Sequence, residues 1–448
     1  MTASKIAETG IQLIDRARDH GERVAVLSRG SAYTYGDLLR SSEAVASGLL
    51  LEDSGKETGG CLDLKEKRVA FLVPGSFEYV AVQWGVWRAG GTAVPLSMGA
   101  REPELEHVLT DAEVSAVLVT SRAKERVAPL CHRLGLSLRS VEEILGSSGT
   151  SLSSEGASED QRPALPTLSP GRRAMMLYTS GTTSKPKGVV STHANIEAQI
   201  TSLVEAWGWQ AEDRIPLFLP LHHIHGIVNV LSCALWSGAQ VETFPAFDLD
   251  PILRRVGAGA YSVFMAVPTI YVKLIEAFEA ATPRDAALWK EGFGGMRLMI
   301  SGSAALPAAT HERWTRLTGQ KLLERYGMTE IGMGLSNPLV GERRPGAVGQ
   351  PLPGVDLRLV DEAGEVVHHE HTPGEIQVKG PGVFSEYWKL PEVTASSFQE
   401  GWFRTGDMAV LEDGYYRILG RLSVDIIKSG GYKLSALEIE DVLRQHPR

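Results

Sequence analysis

Residues 178–188 include the residue types that bind chains of phosphate groups. Their sequence is YTSGTTSKPKG, with five Ser or Thr hydroxyls, two glycines and two lysines. Hydroxyl and backbone N–H groups donate hydrogen bonds to phosphate oxygens, glycine permits close backbone approach, and lysine offsets the negative charge. The spacing of a Walker A loop does not occur in this segment. It therefore predicts an oligophosphate site of another kind, with a polar surface loop as the structural alternative.

Several further segments rich in polar and small residues follow along the chain. They are 219–226 (LPLHHIHG), 301–306 (SGSAAL), 326–330 (YGMTE), 401–407 (GWFRTGD) and the pair Gly420-Arg421. Together with 178–188, and in this order, they resemble the motifs of the adenylate-forming acyl-CoA synthetases, a superfamily of AMP-binding enzymes. The resemblance covers nearly the whole chain.

This resemblance implies a reaction in two steps. The carboxylate of an acid attacks the α-phosphate of ATP, which releases pyrophosphate and leaves an acyl-adenylate; the thiol of coenzyme A then displaces AMP. Such catalysis depends on positioning and on charge stabilisation rather than on a protein nucleophile. The expected substrates and cofactors are ATP, Mg²⁺ and coenzyme A, with no tightly bound organic cofactor.

The resemblance also assigns roles around the nucleotide. Asp407 would receive the ribose diol with support from Arg421, and Tyr326 would stack on adenine. Thr329 would bond to the α-phosphate and Glu330 would hold the Mg²⁺ that accompanies ATP. We expect Thr329, Glu330 and Lys187 to be catalytic. The predicted nucleotide-binding set is Thr179, Ser180, Gly181, Thr182, Thr183, Lys187, Gly302, Ser303, Ala304, Glu324, Tyr326, Gly327, Met328, Thr329, Asp407 and Arg421.

Within the superfamily, residues 323–330 (LERYGMTE) and the upstream SGSAALP resemble malonyl-CoA synthetases most. Malonate keeps a second carboxylate after activation, and an arginine fork can pair with it bidentately. Because side chains alternate along a strand, Arg325 is expected to point away from Tyr326 and to bind that carboxylate. His225 and Ser301 are predicted as further substrate contacts. In the alternative, Arg325 pairs with Glu324 or a surface acid, and His225 packs at a helix start.

The pattern H-H-x-H at His222, His223 and His225 raises the question of a metal site. Zinc ligands are usually supported by a nearby carboxylate, and none follows closely in the sequence. We therefore expect these histidines not to bind a metal.

The last residues of the chain resemble the start of a small C-terminal domain. The hinge before this domain is expected within 422–425, and Gly430 and Gly431 are predicted to line the coenzyme A channel. Family members carry a catalytic Lys near the end of that domain, beyond the counterpart of Arg448. We therefore expect the 448-residue chain to bind ATP or AMP but to adenylate its acid poorly.

Composition narrows the class of protein. Hydrophobic residues make up 43% of the chain and charged residues 22%, which supports a large core. The net charge of −9 disfavours a general nucleic-acid binder. The three cysteines lie far apart in the sequence, which disfavours a disulfide framework. Neither a membrane span nor a signal peptide is evident. These observations predict a cytoplasmic enzyme, or one of the mitochondrial matrix if a transit peptide has been removed.

Alternating apolar runs and helical periods predict how these segments are positioned. Strands are expected at 68–73, 92–95 and 114–120, with helices at 76–89 and 102–110 between them. Such alternation implies a parallel sheet with right-handed crossovers. The pattern resumes with a strand at the end of which the phosphate segment begins, then a helix at 194–206 and an apolar helix at 224–237.

After residue 330 the period changes to short strands joined by turns. Strands are predicted at 355–360, 375–379, 408–411 and 415–419, with Asp413-Gly414 suited to a type I′ hairpin. Asp407 is expected in a loop between such strands. The predicted fold is α/β: a large domain at 1–421 with parallel α/β subdomains to about 330, a β-rich distorted barrel at 331–421, and a mobile connector at 146–171. Residues 422–448 would begin a truncated α+β domain.

The function predicted from the resemblance is ATP-dependent ligation of malonate, or of methylmalonate, to coenzyme A. One alternative is a CoA ligase for another short- or medium-chain acid. Another is a non-catalytic AMP-binding homologue, which the intact phosphate segment, Thr329, Glu330 and Asp407 argue against. The expected partners are small molecules, without nucleic acid and without membrane insertion.

Overall fold

A computed structural model describes residues 9–53, 62–146, 163–179, 185–429, 432–436, 439–440 and 443. Most of the expected connector at 146–171 lies outside this description, as do Ser180, Gly181, Thr182, Thr183, Gly430 and Gly431.

The helices of the described residues are numbered along the chain. They are α1 Gln12–His20, α2 Tyr35–Asp53, α3 Phe77–Arg88, α4 Glu102–Asp111, α5 Ser121–Leu134, α6 Val141–Leu145, α7 His193–Trp207, α8 Cys233–Trp236, α9 Leu249–Gly257, α10 Pro268–Ala280, α11 Pro283–Gly294, α12 Ala308–Thr318 and α13 Pro391–Ser396, with a π-helix at His225–Ser232.

The strands are numbered in the same way. They are β1 Val24–Ser28, β2 Ser31–Thr34, β3 Arg68–Leu72, β4 Thr92–Pro95, β5 Val114–Val119, β6 Ser137–Ser140, β7 Arg173–Thr179, β8 Lys187–Thr192, β9 Arg214–Leu217, β10 Gln240–Thr243, β11 Val263–Ala266, β12 Leu298–Ser301, β13 Leu323–Met328, β14 Gly332–Ser336, β15 Gln350–Pro351, β16 Asp356–Val360, β17 Gly374–Lys379, β18 Glu386–Tyr387, β19 Phe398–Gln399, β20 Trp402–Glu412, β21 Tyr415–Arg421, β22 Ile426–Ser429 and β23 Tyr432–Ser435.

The largest sheet has the order β18-β8-β7-β4-β3-β5-β6. Strands β7, β4, β3, β5 and β6 of this sheet run parallel, as the strand–helix alternation predicts. Strand β3 is almost entirely apolar because helices cover both faces of a parallel sheet. Helix α3 begins at Ser76, whose hydroxyl accepts a hydrogen bond from the N–H of Tyr79. Helix α2 is capped at its N-terminal end, where Thr34 and Asp37 exchange hydrogen bonds.

A second sheet, in the order β11-β12-β13-β14-β15, provides the strands closest to the predicted motifs. Strands β11, β12 and β13 are parallel, whereas β14 and β15 pair antiparallel beyond them. Thus β14 and β15 join this sheet, although they follow the expected division at 330. Antiparallel strands β16, β17, β20, β19 and β21 form the β-rich sheet, which begins at Asp356. A four-stranded sheet, β2-β1-β10-β9, lies beside these layers.

The fold class and the apolar helix expected from the sequence are confirmed, and two local predictions were wrong. The residues after the phosphate segment form strand β8 before helix α7 begins, because they pair antiparallel with β7. The apolar helix starts as a π-helix, in which Ser232 Oγ donates to the Ile227 carbonyl five residues earlier. Asp407 lies inside strand β20, opposite Arg421 of β21, rather than in a loop.

Close packing of α2 against α3 depends on a glycine. A Cβ at Gly85 would lie 2.5 Å from Cβ and Cγ1 of Val45. We expect Gly85→Ala to lower the free energy of unfolding by about 1–3 kcal/mol, the usual cost of overpacking, despite the higher helix propensity of alanine. Thermal unfolding should therefore occur at a lower temperature. Gly257→Ala is the control, since its nearest neighbour would be 3.5 Å away. Equal melting of both variants would contradict this packing argument.

Candidate active site

Two cavities meet at the carboxyl ends of strands β12 and β13. The first cavity has a volume of about 720 Å³ and the second about 480 Å³. Ser303, Arg325 and Gly327 line both cavities, so they form the wall between them. Ligands of α/β proteins commonly bind at such strand ends.

The second cavity brings together an aromatic ring, a carboxylate and a guanidinium. Asp407 is 9% exposed; its Oδ2 accepts a hydrogen bond of 2.6 Å from Tyr326 Oη, and its Oδ1 accepts one of 3.0 Å from Arg421 Nε. Burial and the charge of Asp407 raise the pKa of Tyr326 well above its usual value. Burial opposes the charge of Arg421, but the hydrogen bond and charge of Asp407 outweigh it and raise the pKa of Arg421. The arrangement presents the carboxylate of Asp407 to the cavity.

Glu324 lies beside this pair on the wall of the second cavity. Burial raises the pKa of its carboxyl group from 4.5 to about 8, against a backbone hydrogen bond from Gly346. Its Oε1 has no hydrogen-bond partner among the described residues. Ala304 lies on the same wall, whereas Gly302 does not.

Gly302 instead makes room for Arg325. A Cβ at Gly302 would lie 2.5 Å from Cζ and Nε of the Arg325 guanidinium. The next residue, Ser303, has a φ of 70°, a left-handed conformation that non-glycine residues adopt rarely. The turn therefore places the hydroxyl group of Ser303 in the wall between the cavities.

Arg325 is buried and has no carboxylate partner within the described part of the chain. It is 5% exposed, and burial lowers the pKa of its guanidinium to about 9, so that it stays a cation at neutral pH. Nη2 donates a hydrogen bond of 3.3 Å to Ser303 Oγ, and Nε has no described partner. The structure therefore contradicts the alternative in which Arg325 pairs with Glu324.

His225, at the start of the π-helix, completes this group. Its Nδ1 lies 3.0 Å from Ser303 Oγ. Burial, followed by the charge of Arg325, holds the pKa of His225 well below its usual value, so the imidazole is neutral. Since Ser303 Oγ accepts from Arg325, it can donate its hydrogen to Nδ1, which assigns the ring hydrogen to Nε2. Nε2 is buried and has no described partner.

The remaining walls of the first cavity are mostly apolar, with His222 and His223 among them. These two rings lie 4.1 Å apart. Burial and the neighbouring His223 lower the pKa of His222 to about 4, and burial lowers that of His223. Across the described ranges, no group of three or more His, Cys, Asp or Glu is arranged to hold a metal ion.

The phosphate segment bridges two paired strands. Thr179 ends β7 and Lys187 begins β8, directly opposite it, while residues 180–184 lie outside the description. Thr329 lines the first cavity, next to Met328. Glu330 is buried, and its Oε1 accepts a hydrogen bond of 2.8 Å from Tyr387 Oη. Burial raises the pKa of Glu330, partly opposed by that hydrogen bond and by the charge of Lys187.

Most predicted residues within the description thus converge on the two cavities. Ser301 does not, because it is fully buried at the end of β12, and Thr179, Lys187, Gly302 and Glu330 are also absent from both cavity linings. The sequence analysis did not identify Tyr387, which contacts Glu330. The two residues are 57 positions apart, and no local sequence pattern indicates a contact over such a separation. The sequence analysis also placed Ser303 only with the nucleotide, although its hydroxyl bonds to Arg325 and His225.

Comparison with known proteins agrees with this geometry. Residues 13–388 match the family of AMP-binding enzymes. The chain belongs to that family. This AMP-binding enzyme is 43% identical over 460 residues to the mitochondrial malonate–CoA ligase of Mus musculus, with 96% of this chain and 77% of that protein covered.

Solved structures of similar proteins share the fold. ATP-bound MatB from Rhodopseudomonas palustris has a TM-score of 0.84 and 34% identity, covering 98% of this chain and 84% of that one. A malonyl-CoA ligase in a ternary product complex with methylmalonyl-CoA and AMP has a TM-score of 0.76 and 36% identity, covering 96% and 84%. In the described part of this AMP-binding enzyme, the helices are too short or too polar to cross a membrane.

The position of Asp407 predicts a loss of nucleotide affinity when its charge is removed. Asp407→Asn should weaken AMP binding about tenfold or more, since a hydrogen bond to a charged group contributes about 1.5–3 kcal/mol. Isothermal titration calorimetry with AMP measures this. Asp413→Asn, in the exposed turn between β20 and β21, is the control and should bind AMP normally. Unchanged affinity of Asp407→Asn would exclude a nucleotide role for this carboxylate.

Burial of Glu324 predicts a pH-dependent stability. The folded chain keeps this proton up to about pH 8, whereas the unfolded chain releases it near 4.5. Between these values the unfolded state binds fewer protons, so the contribution of Glu324 to the free energy of unfolding falls as pH rises. Glu324→Gln removes that contribution. The melting temperature of Glu324→Gln minus that of wild type should increase from pH 5 to pH 8. A difference that stays constant over this range would contradict a raised pKa for Glu324.

Proposed function

We propose that this chain is an ATP-dependent acid–CoA ligase whose acid substrate is malonate or methylmalonate. The observation that carries the proposal is the buried Arg325 cation, which lines the first cavity without a carboxylate partner among the described residues. A buried unpaired charge is strongly unfavourable, so a substrate carboxylate is the natural counterion. The names of the mouse relative and of the methylmalonyl-CoA complex support the same class of acid.

The distal carboxylate of malonate would bind where the unsatisfied donors converge. Arg325 Nε and His225 Nε2 are both buried without a described partner, and Ser303 Oγ links their side chains. A carboxylate accepts hydrogen bonds from a guanidinium fork and from a neutral imidazole without a change of protonation. Apolar walls beyond this point, including Phe218 and Phe247, would accommodate the methyl group of methylmalonate.

ATP would occupy the second cavity and would contact the residues that separate the two cavities. Tyr326 would stack on adenine, with Glu324, Ser303, Ala304 and Gly327 around the base. Asp407 would accept hydrogen bonds from the ribose diol, supported by its ion pair with Arg421. We also retain the wider set for the phosphates and the adjacent backbone: Thr179, Ser180, Gly181, Thr182, Thr183, Lys187, Gly302, Met328 and Thr329.

Glu330 is the residue that would hold Mg²⁺ with ATP. Its buried carboxylate is a hard oxygen donor, the type that Mg²⁺ prefers when it binds through one carboxylate and substrate phosphates. When bound, Mg²⁺ would neutralise part of the phosphate charge. The residues present therefore fit the metal.

In the first step, the reacting carboxylate of malonate would attack the α-phosphorus while the bond to pyrophosphate breaks. Arg325 and His225 would orient the acid, Thr329 would donate to the α-phosphate, and Lys187 would offset the charge on the phosphate oxygens. In the second step, the coenzyme A thiol would add to the acyl carbonyl and lose its proton as AMP departs with the bonding electrons. Gly430 and Gly431 would line the channel for that thiol.

We further propose the domain division expected from the sequence: a large domain to residue 421, a hinge within 422–425, and the start of a small domain. Asp425 supports a turn there, because its Oδ2 accepts from the Arg421 N–H while its own N–H donates to the Arg421 carbonyl. For location, the mitochondrial designation of the mouse relative favours the matrix alternative.

A ligase for another short- or medium-chain acid is the second candidate. The mostly apolar lining of the first cavity favours it, because an alkyl chain would fill that space. The test is a screen of the full-length protein with acetate, propionate, butyrate, hexanoate, malonate, methylmalonate and succinate for CoA-dependent AMP release. Malonate or methylmalonate should give the highest kcat/KM. A monocarboxylic acid as best substrate would select the second candidate, and ATP or AMP binding without release by any acid would indicate a non-catalytic homologue.

The role of Arg325 predicts a change in selectivity. Arg325→Leu should lower kcat/KM for malonate at least about a hundredfold, since truncating a buried partner of a charge costs about 2–5 kcal/mol. Activity with propionate should change little, and Arg325→Lys should retain part of the malonate activity. Steady-state kinetics with both acids measures the difference. An equal loss for both acids, with a lower melting temperature, would assign Arg325 a structural role instead.

A further inference from the structure

Residues 384–388 connect the two charged groups of the phosphate site. Phe384 N–H donates a hydrogen bond of 2.7 Å to the Glu330 carbonyl, and Trp388 N–H donates one of 2.8 Å to the Gly188 carbonyl, next to Lys187. Between them, Tyr387 pairs with Val189 in the contact of β18 with β8. The segment is therefore bonded at one end to the residue that follows Thr329 and at the other end to strand β8.

Tyr387 contacts both side chains at the same time. Its Oη donates a hydrogen bond of 2.8 Å to Glu330 Oε1, and Lys187 Nζ lies 4.4 Å from the centre of its ring. Tyr387 is 4% exposed and Glu330 5%, so the hydrogen bond between them is shielded from water. A cation over an aromatic face is attracted by the ring quadrupole, and this attraction strengthens when water is excluded. One buried side chain thus restrains a carboxylate by its hydroxyl and an ammonium by its ring.

The ring itself is held in place by its surroundings. Phe384 packs against it with ring centres 4.7 Å apart. Glu386 pairs with Arg173 at 2.8 Å, and Trp388 Nε1 donates to the Asp111 carbonyl at 2.9 Å. These contacts fasten β18 to the seven-stranded sheet, so Tyr387 has a fixed position from which to orient other groups.

We propose that Tyr387 is a positioning residue for Mg²⁺-bound ATP, which it serves by orienting Glu330 and Lys187. This inference rests on the proposed function of the site. Groups that hydrogen-bond to a metal-binding carboxylate fix its orientation, and their removal typically costs 10–100-fold in metal affinity or activity. A carboxylate free to rotate would lose entropy on binding the metal, whereas the phenol of Tyr387 has already restricted it. The hydroxyl acts on Glu330 and the ring acts on Lys187, so the two effects are separable.

The test compares Tyr387→Phe with wild type by isothermal titration calorimetry on the whole chain. The variant keeps the ring and loses only the hydroxyl. We expect its affinity for ATP in the presence of Mg²⁺ to fall about tenfold, while its affinity for AMP without metal stays within about twofold. Tyr35→Phe is the matched control: it removes another buried hydroxyl, which donates at 2.7 Å to the Ala239 carbonyl, far along the chain from this segment.

A second comparison shows whether Tyr387 acts through Glu330. In a Glu330→Gln background, the added loss from Tyr387→Phe should shrink to less than about twofold, because the carboxylate to be oriented has gone. Undiminished loss in that background would overturn the proposal. So would equal weakening of AMP and Mg²⁺–ATP binding in Tyr387→Phe, or no weakening of either. Failure of the wild-type chain to bind AMP or ATP would instead refute the proposed function.

Discussion

A guanidinium held away from water sets the conditions for the rest of the site. Arg325 can occupy its position only because residue 302 has no side chain and because Ser303 offers an oxygen from a left-handed turn. Burial, reinforced by the charge of Arg325, lowers the pKa of His225 and keeps its ring neutral, which leaves Nε2 as a donor beside the guanidinium. Small and neutral neighbours thus make room for the guanidinium, and no described carboxylate neutralises its charge. In the proposed function, the substrate carboxylate is the anion that would complete this site.

Strand β13 contributes side chains to both cavities, on either side of the Arg325 guanidinium. Glu324 and Tyr326 line the second cavity, Arg325 lines both cavities, and Met328 lines the first. A bulge between Tyr326 and Gly327 interrupts the regular register at the point where the two cavities meet. One short strand therefore sets the distance between the group that would bind the base and the group that would bind the acid.

The fold and most of the site could be predicted because their signals are local. Alternating apolar runs located β3, β4 and β5 to within one or two residues, and the ordered motifs supplied the polar residues at the wall between the two cavities, whereas much of the apolar lining of the first cavity comes from other segments. Three features escaped for physical reasons. Strand β8 depends on pairing with β7, the π-helix depends on burial and a side-chain bond from Ser232, and Tyr387 meets Glu330 only through tertiary packing. Each is decided by distant partners that a linear pattern does not contain.

The contact between Gly302 and Arg325 has a consequence for how related sequences diverge. Any side chain at 302 would occupy the volume of the guanidinium, so the two positions cannot change independently while the cation is kept. Replacing Arg325 by a shorter residue would remove the constraint on 302 and open that space to larger side chains. Loss of the cation would then be difficult to reverse, because a bulky residue at 302 would block its return. Positions 302 and 325 are therefore expected to change together, and losing the arginine is easier than regaining it.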